Sequence, residues 1–190
     1  MDSTGLAFQG VGSWQAVRFH KRARRRDHRK ASLLVETRQC REKFVYEWRL
    51  DSSRVGDITA ARQILPNLPP NTTEVSMDAA YDAGDLYEIV EQQGAAPIIK
   101  ARANARTGTL DARGRALRER LRRPTAWQRR YNRRPITEAV NSSLKRRFGD
   151  RLHCRGLWNQ RQELAVRILV YNIALKGRWK VRLRIQRGES

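Results

Sequence analysis

The sequence predicts an α/β fold with a mixed sheet of about five strands, flanked by helices and followed by a helical C-terminal part. Several short segments alternate apolar and polar residues with the period of a strand, most clearly residues 43–50, where Phe44, Tyr46 and Trp48 take every second position. Three strands come first, and helices separate the later ones, which is typical of a meander followed by crossover connections. At 190 residues the chain is long enough for one domain with a hydrophobic core.

Five segments have strand composition, and turn residues or helices separate them. Residues 38–42 (RQCRE) connect the second and third strands as a hairpin turn, and the fourth strand ends in an acid, Asp78. The predicted strands are residues 1–10, 31–37, 43–50, 73–78 and 96–100.

The helices are predicted from caps, stops and apolar spacing. Asp57 suits an N-cap for a helix that runs to Leu65 and stops at Pro66, and Gly94 ends the next helix, AGDLYEIVEQQ. Residues 101–124 are basic and predict a loop with a short exposed helix. Two longer helices follow at residues 126–148 and 157–175, the second with an apolar face formed by Leu164, Ile168, Tyr171 and Leu175.

The charge is the unusual bulk property. Forty Lys and Arg against 19 Asp and Glu leave a net charge of +21. Such a surplus points to a large anionic partner, first nucleic acid and second an anionic membrane. The membrane is the weaker candidate, because the best apolar run, residues 164–175, falls short of the ~20 residues that a spanning helix needs. The basic run at residues 21–30 fits a solvated loop and a phosphate-binding segment equally well.

The cysteines and histidines give no metal-ligand pattern. Cys40 and Cys154 lie far apart without CxxC spacing, and His20, His28 and His153 are scattered. Reduced thiols and the absence of a hydrophobic signal core predict a cytoplasmic protein.

Three acids stand at special points of the predicted fold. Asp2 lies on the first strand, Asp78 ends the fourth, and Glu138 lies on the helix after the fifth. If the first and fourth strands are neighbours, the three carboxylates can converge on a basic surface. Such an oxygen-rich site suits two Mg²⁺ or Mn²⁺ ions, which stabilise the attacking and leaving oxygens of phosphodiester substitution.

Three blocks of sequence carry a resemblance to a known family. They are MDSTGL, the segment MDAAYD with Asp78, Tyr81 and Asp82, and a Y-x2-R-x3-E-x6-K signature formed by Tyr131, Arg134, Glu138 and Lys145. Together they resemble the catalytic domain of DDE transposases of insertion sequences, in the group that carries the YREK signature. The similarity covers most of residues 1–175 and implies a ribonuclease-H-like domain at residues 1–176, followed by a basic tail at 177–190. Basic and apolar residues alternate in WKVRLRIQRGES, so the tail is expected to form an edge strand or lie loose.

The resemblance also implies roles for residues. Asp2, Asp78 and Glu138 are the implied catalytic acids and metal ligands. Tyr131, Arg134 and Lys145, with the neighbouring Arg146 and Arg147, are implied to bind the DNA backbone. The implied partners are transposon-end and target DNA, with a homodimer on paired ends and a nucleoid-associated location.

Helical spacing of seven residues places Glu138 and Lys145 on one stripe, ~10.5 Å apart. Pro135 disfavours an α conformation at Arg134 and predicts a kink or a helix start there. For that reason both positions stay open for Tyr131, on the stripe of Glu138 and Lys145 or off it.

The chain begins almost on its first implied acid, whereas the family usually carries a DNA-binding region before that point. We therefore expect an N-terminally truncated transposase, weakly active or inactive alone, in which the Met1 ammonium opposes metal binding at Asp2.

Several alternatives stay open. A non-catalytic nucleic-acid-binding protein explains the charge equally well, and a structure-specific nuclease on the same fold explains the acids. Asp82 or Asp85 suits a helix cap better than a metal ligand, and Glu163 is a weaker candidate for the third acid. Trp127 and Trp158 are expected to be core residues rather than base-stacking platforms.

Overall fold

The computed structural model describes residues 1–8, 28–37, 43–103, 105 and 108–187, with side chains up to residue 177. The predicted hairpin turn at residues 38–42 and most of the basic run, residues 21–27, lie outside the described residues, as do Cys40 and His20.

The first sheet is built on an antiparallel meander. It contains β1 (Asp2–Phe8), β2 (His28–Val35) and β3 (Val45–Ser52). The register pairs Asp2 with Leu33 and Leu33 in turn with Trp48. A two-residue strand that the sequence did not predict, β6 (Arg151–Leu152), adds to β1 in parallel beside Ala7 and Phe8. The predicted meander is therefore confirmed, with the sheet order β3-β2-β1-β6.

The remaining strands form a separate parallel pair. β4 (Glu74–Met77) and β5 (Ala96–Ile99) are connected by the crossover helix α2 (Gly84–Gln92). In the described residues β1 and β4 share no ladder, so the predicted single sheet of about five strands is wrong in its pairing, although the mixed α/β class is confirmed. The physical reason is the position of β1. It approaches β4 at its N-terminal end, where the Met1 amino group donates to the Ser76 carbonyl at 2.8 Å.

The helices follow the predicted order with shifted bounds. α1 (Asp57–Ile64) continues into a 3-10 turn at Leu65–Asn67, and Gly94 takes a positive φ of 74° just after α2, as a stop signal should. The later helices are α3 (Ala112–Arg122), α4 (Pro124–Tyr131), α5 (Pro135–Phe148) and α6 (Leu157–Arg187). Residues 177–187 therefore continue α6 in backbone conformation, and the prediction of an edge strand or loose tail is wrong for them, while residues 188–190 lie outside the described residues.

Asp57 does not cap α1 as predicted. Gly56 is the N-cap residue and makes no side-chain cap bond. The Asp57 carboxylate instead accepts from the Ser3 hydroxyl at 2.7 Å and pairs with Lys30 at 3.3 Å. It thereby attaches α1 to the first sheet.

The helix predicted at residues 126–148 is two helices, α4 and α5, and Pro135 is the first residue of the second. Pro135 has no N–H to donate back to Tyr131, whose carbonyl accepts from Arg134 instead at 2.9 Å. Arg134 nevertheless has φ −56° and ψ −41°, an α conformation that Pro135 was expected to disfavour, while the predicted helix start is confirmed.

Two hydrophobic clusters hold the domain together. The first lies around the parallel pair and includes Leu65, Met77 and Tyr87, all fully buried. The second joins the meander to α5 and α6 through residues such as Leu50, Val140 and Ile168. Removing one such buried leucine side chain costs ~2–5 kcal/mol, so each cluster fixes the helices that carry the candidate site.

One face of α6 is not covered by the described residues. Trp158, Val166, Leu169 and Ile173 are each more than half exposed. The expectation that Trp158 is a core residue is therefore wrong, whereas Trp127 is buried as predicted. Within the described part of the chain, no helix combines the length and the apolar character that crossing a bilayer requires.

Candidate active site

The three predicted acids stand at the ends of elements that meet at one edge of the domain. Asp2 is the first residue of β1, Asp78 follows β4 directly, and Glu138 lies in the first turn of α5. Strand ends fix a backbone position while leaving the side chain free of the ladder. The Met1 amino group bonds to Ser76 at the end of β4, and Arg134 bonds to both Asp78 and Glu138, so the three segments lie together.

Asp78 is held by its own backbone turn. Its carboxylate accepts the N–H of Ala79 at 2.7 Å and so caps the 3-10 turn Ala79–Tyr81. The side chain is 40% exposed, and its second oxygen, Oδ2, accepts from Arg134 at 3.2 Å.

Arg134 joins two of the acids. One nitrogen of its guanidinium donates to Asp78 Oδ2 at 3.2 Å, and the other lies 2.8 Å from Glu138 Oε1. A planar fork of N–H donors can bond two carboxylates at once, which an ammonium cannot do with the same geometry. Arg134 is only 18% exposed, so it occupies the space between the acids rather than the solvent above them.

Asp2 belongs to the same electrostatic group. Burial raises the pKa of its carboxyl, the Ser3 backbone N–H and the Arg134 charge lower it, and the Glu138 charge raises it again. The coupling to both Arg134 and Glu138 means that all three acids share one local field. The effect of burial is larger than the lowering by Ser3 and Arg134, so the pKa of Asp2 stays above its ordinary value.

Tyr131 faces the acids as well. Its ring stacks on Trp127, with centroids 5.0 Å apart, and its hydroxyl donates to Asp78 Oδ1 at 3.4 Å. Burial, followed by the charge of Asp78, raises the pKa of the phenol. Tyr131 lies on α4 and Glu138 on α5, so the two do not share one continuous helical stripe.

Lys145, Arg146 and Arg147 lie near the end of α5, two turns beyond Glu138. Lys145 is half-buried and lines a small cavity with Thr4 and Asn141. Arg146 is exposed, and Arg147 extends over the ring of Tyr171 at 5.5 Å. This end of α5 therefore offers at least one cation directly to solvent.

The arrangement can be tested for its fit to divalent cations. Among the described residues, no three His, Cys, Asp or Glu side chains lie in positions ready to ligate one metal ion. Arg134 lies between Asp78 and Glu138, so an ion would have to displace it from at least one of them. The donor set itself fits, since three carboxylates are the hard oxygen ligands that Mg²⁺ and Mn²⁺ prefer.

The Met1 amino group is buried against this site. Burial lowers its pKa to about 5, with a partly opposing effect of the Asp2 charge and a further lowering by Arg134. The group is therefore mostly uncharged at neutral pH. Burial therefore weakens the expected opposition of a Met1 ammonium to cation binding at Asp2.

Two other acids have structural roles. Asp82 is buried, and it accepts a two-pronged bond from Arg113 (2.8 and 2.6 Å), the Tyr87 hydroxyl and the Arg102 N–H, so it does not cap α2. Glu163 accepts the N–H groups of His153 and Cys154 and pairs with Arg167. Neither carboxylate has free oxygens for chemistry.

The contacts of Arg134 were not predicted from the sequence. Its predicted role was to bind DNA, whereas in the fold it bonds to the acids. The spacing of four residues to Glu138 on a helix is the signal for that pair. No local signal predicts the bond to Asp78, because the two residues are 56 positions apart.

Comparison with known proteins identifies the family of this chain. Searches of curated proteins and of solved structures gave no match. A family model described as the transposase DDE domain matches residues 1–173, most of the chain, and spans Asp2, Asp78 and Glu138. The chain therefore belongs to the transposase DDE domain family.

Proposed function

We propose that this chain is the catalytic domain of an insertion-sequence transposase of the group with the YREK signature, which cleaves DNA at the element's ends and transfers the freed strand to target DNA. One observation supports this most directly. Arg134 bonds to both Asp78 and Glu138, and the pKa of Asp2 responds to the same guanidinium, which supports a shared site for acids from three distant segments.

Asp2, Asp78 and Glu138 would hold two Mg²⁺ or Mn²⁺ ions, which supply Lewis-acid stabilisation of the attacking and leaving oxygens. The chain's own residues would do the rest. Arg134, released from an acid, is free to bond a phosphate, and Tyr131 positions Asp78 through its hydroxyl. Lys145, Arg146 and Arg147 bind the DNA backbone and so fix its position on the acids, on a protein that acts as a homodimer on paired ends.

Glu138→Gln tests the proposal. It keeps the shape of the side chain and removes its charge, so end cleavage in Mg²⁺ should fall by about a hundredfold or more. DNA binding in the absence of divalent cations should change little. The measurement is nicking of a duplex that carries the ends of the element, together with the amount of joined product.

The matched control is Glu88→Gln, an exposed glutamate on α2 outside the site. It should cleave and join at the unmodified rate. Undiminished cleavage by Glu138→Gln would refute the assigned role, and cleavage without any joined product would favour a structure-specific nuclease.

A second candidate is a non-catalytic DNA-binding protein, favoured by the fact that Arg134 already neutralises two of the acids. Such a protein would bind DNA with a steep dependence on salt and show no cleavage in either Mg²⁺ or Mn²⁺.

A further inference from the structure

Trp127 is a buried aromatic residue close to the candidate site, and it lies outside the signature that carries the family resemblance. It is on the first turn of α4, and only 5% of it is exposed. α4 packs against β4 and β5, and Asp78 directly follows β4. The indole is therefore fixed in the part of the fold that presents one of the three acids.

Trp127 and Tyr131 stack on each other. Their ring centroids are 5.0 Å apart, and their planes differ by 11°. The two residues are four positions apart on α4, a spacing at which helical side chains are neighbours. Stacked rings attract each other beyond the apolar area that they bury, so Trp127 limits the positions that the phenol ring can take.

The backbone holds Tyr131 less firmly than a helix interior would. Tyr131 is the last residue of α4, and Pro135, four positions further on, has no N–H to donate to its carbonyl. That carbonyl accepts from Arg134 in a tighter turn instead, at 2.9 Å. At such a helix end, the position of the phenol depends on the ring against which it stacks.

The stacked phenol faces one oxygen of Asp78. Its hydroxyl lies 3.4 Å from Oδ1, the oxygen that also accepts the Ala79 N–H at 2.7 Å. Arg134 bonds to the other oxygen, Oδ2. The contact of Tyr131 is long for an O–H···O hydrogen bond, so a small displacement of the ring would break it. The orientation of the Asp78 carboxylate therefore depends on where this ring lies.

A cation on α3 holds the indole from outside its own helix. Arg120 extends over the Trp127 ring, with its Cζ 4.7 Å from the centroid. The π electrons of an indole attract a guanidinium in that position. α3 is itself attached to the turn after β4 by the bonds from Arg113 to Asp82. The stack thus has support from two helices.

We propose that Trp127 is a positioning residue for Asp78, which it orients by holding the ring of Tyr131. The proposal rests on the proposed transposase function, in which Asp78 is a metal ligand. With Oδ1 engaged by Tyr131 and Ala79, Oδ2 keeps its direction when Arg134 is released. Removing a group that orients a metal ligand typically lowers metal affinity or activity by about 10- to 100-fold.

Trp127→Leu removes the stacking ring and keeps an apolar side chain. We expect kcat for end cleavage in Mg²⁺ to fall about tenfold with the KM for DNA unchanged, and the Kd for Mn²⁺ to rise by a similar factor. Trp127→Phe keeps a ring for the stack and should restore most of both values. The matched control is Trp158→Leu, at an exposed position on α6, which should change neither.

A double-mutant cycle tests whether Trp127 acts through Tyr131. Tyr131→Phe removes the hydroxyl and should weaken Mn²⁺ binding about as much as Trp127→Leu does. The double variant should bind Mn²⁺ no more weakly than either single variant, because both changes remove the same contact. Electron paramagnetic resonance of free Mn²⁺ measures the four affinities. Additive losses would show that Trp127 acts separately and would overturn the proposal.

The amide NMR resonance of Ala79 tests the positioning without DNA or a cation, because this N–H donates to the oxygen that Tyr131 faces. Trp127→Leu and Tyr131→Phe should shift it in the same direction, and Trp158→Leu should leave it in place. Arg120→Gln removes the cation over the indole and should give a smaller shift in that direction, which keeps the test decisive if Trp127→Leu does not fold.

The two proposals fail in different ways. If the Ala79 resonance shifts as expected but the unmodified chain neither binds Mn²⁺ nor cleaves DNA, the proposed function is wrong and the positioning by Trp127 stands. If the unmodified chain cleaves DNA but the Ala79 resonance is the same in every variant, the positioning is wrong and the proposed function stands.

Discussion

At the scale of single residues, Asp2 and Asp85 are two aspartates whose charges act on stability in opposite directions. Burial raises the pKa of Asp2, so its contribution to stability is complete below the ordinary pKa of an aspartate and is lost as the pH rises through its folded value. Arg62 lowers the pKa of Asp85 through a hydrogen bond, so the Asp85 contribution is present above the ordinary pKa and is lost as the pH falls.

We predict that Asp2→Asn gains stability relative to the unmodified chain as the pH rises from acid to neutral, in buffer free of divalent ions. Asp85→Asn is the matched control and should show the opposite trend. Urea unfolding of the three proteins at several pH values measures both. Parallel curves for the two variants would contradict the assigned burial of the Asp2 charge.

The same residue should report cation binding. An ion that binds the folded chain stabilises it by about 1.4 kcal/mol at ten times its Kd. Mn²⁺ should therefore raise the unfolding midpoint of the unmodified chain and have a clearly smaller effect on Asp2→Asn. Circular dichroism during thermal unfolding, with and without the ion, measures the difference. An equal rise in both proteins would mean that Asp2 is not a ligand.

At the scale of elements, Asp82 attaches α3 to the turn after β4. Its buried carboxylate accepts from Arg113 on α3, from Tyr87 on α2 and from the backbone of Arg102 after β5. Although burial alone would raise the pKa of Asp82, these donors lower it below its usual value. One acid thus joins three segments around the end of the parallel pair.

We predict that Asp82→Asn lowers the free energy of unfolding by about 3 kcal/mol, because it leaves Arg113 without its charged partner in a partly buried position. Asp85→Asn, which removes one exposed pair with Arg62, should cost at most about 1 kcal/mol at neutral pH. Urea unfolding gives both values. Similar losses in the two variants would argue against the role of Asp82 as a buried link.

The elements also show how far local sequence determines the fold. The meander strands, the stop at Gly94 and the start of α5 at Pro135 were predictable, because alternation, a positive φ and a missing N–H act within a few residues. The partners of Asp57 were not predictable, because Ser3 and Lys30 are distant in sequence. The same holds for β6, whose two residues carry no pattern and are held by β1 and by the bond from Arg167 on α6 to the Arg151 carbonyl.

For the candidate site, the sequence identified the three acids from their places on the predicted elements and from the family resemblance. Their convergence depends on the packing of α5 against the meander, which no single segment encodes. Arg134 is the clearest example: its helical spacing predicts the pair with Glu138, and only the fold brings Asp78 to its other nitrogen.

At the scale of the whole molecule, the net charge of +21 should dominate binding to DNA. Each phosphate that the protein neutralises adds about −0.9 to the slope of log K against log salt concentration. We predict that Arg146→Ala, at an exposed position on α5, makes this slope shallower by about 1. Fluorescence anisotropy of a labelled duplex at several salt concentrations gives the slope.

The matched control is Arg62→Ala, which removes a cation already paired with Asp85. Its slope should stay at the value of the unmodified chain. If both variants lost the same amount, the effect would reflect total charge rather than contact at α5.

Arg134 also has a consequence for the resting protein. Three carboxylates near one another repel, and a domain that held them bare would tend to open at that edge. With a guanidinium between two of them, the three acids can be made and stored in an assembled arrangement in which part of their charge is balanced. Under the proposed function, arrival of DNA and its counterions would then require only an exchange of partners, with no refolding of the scaffold.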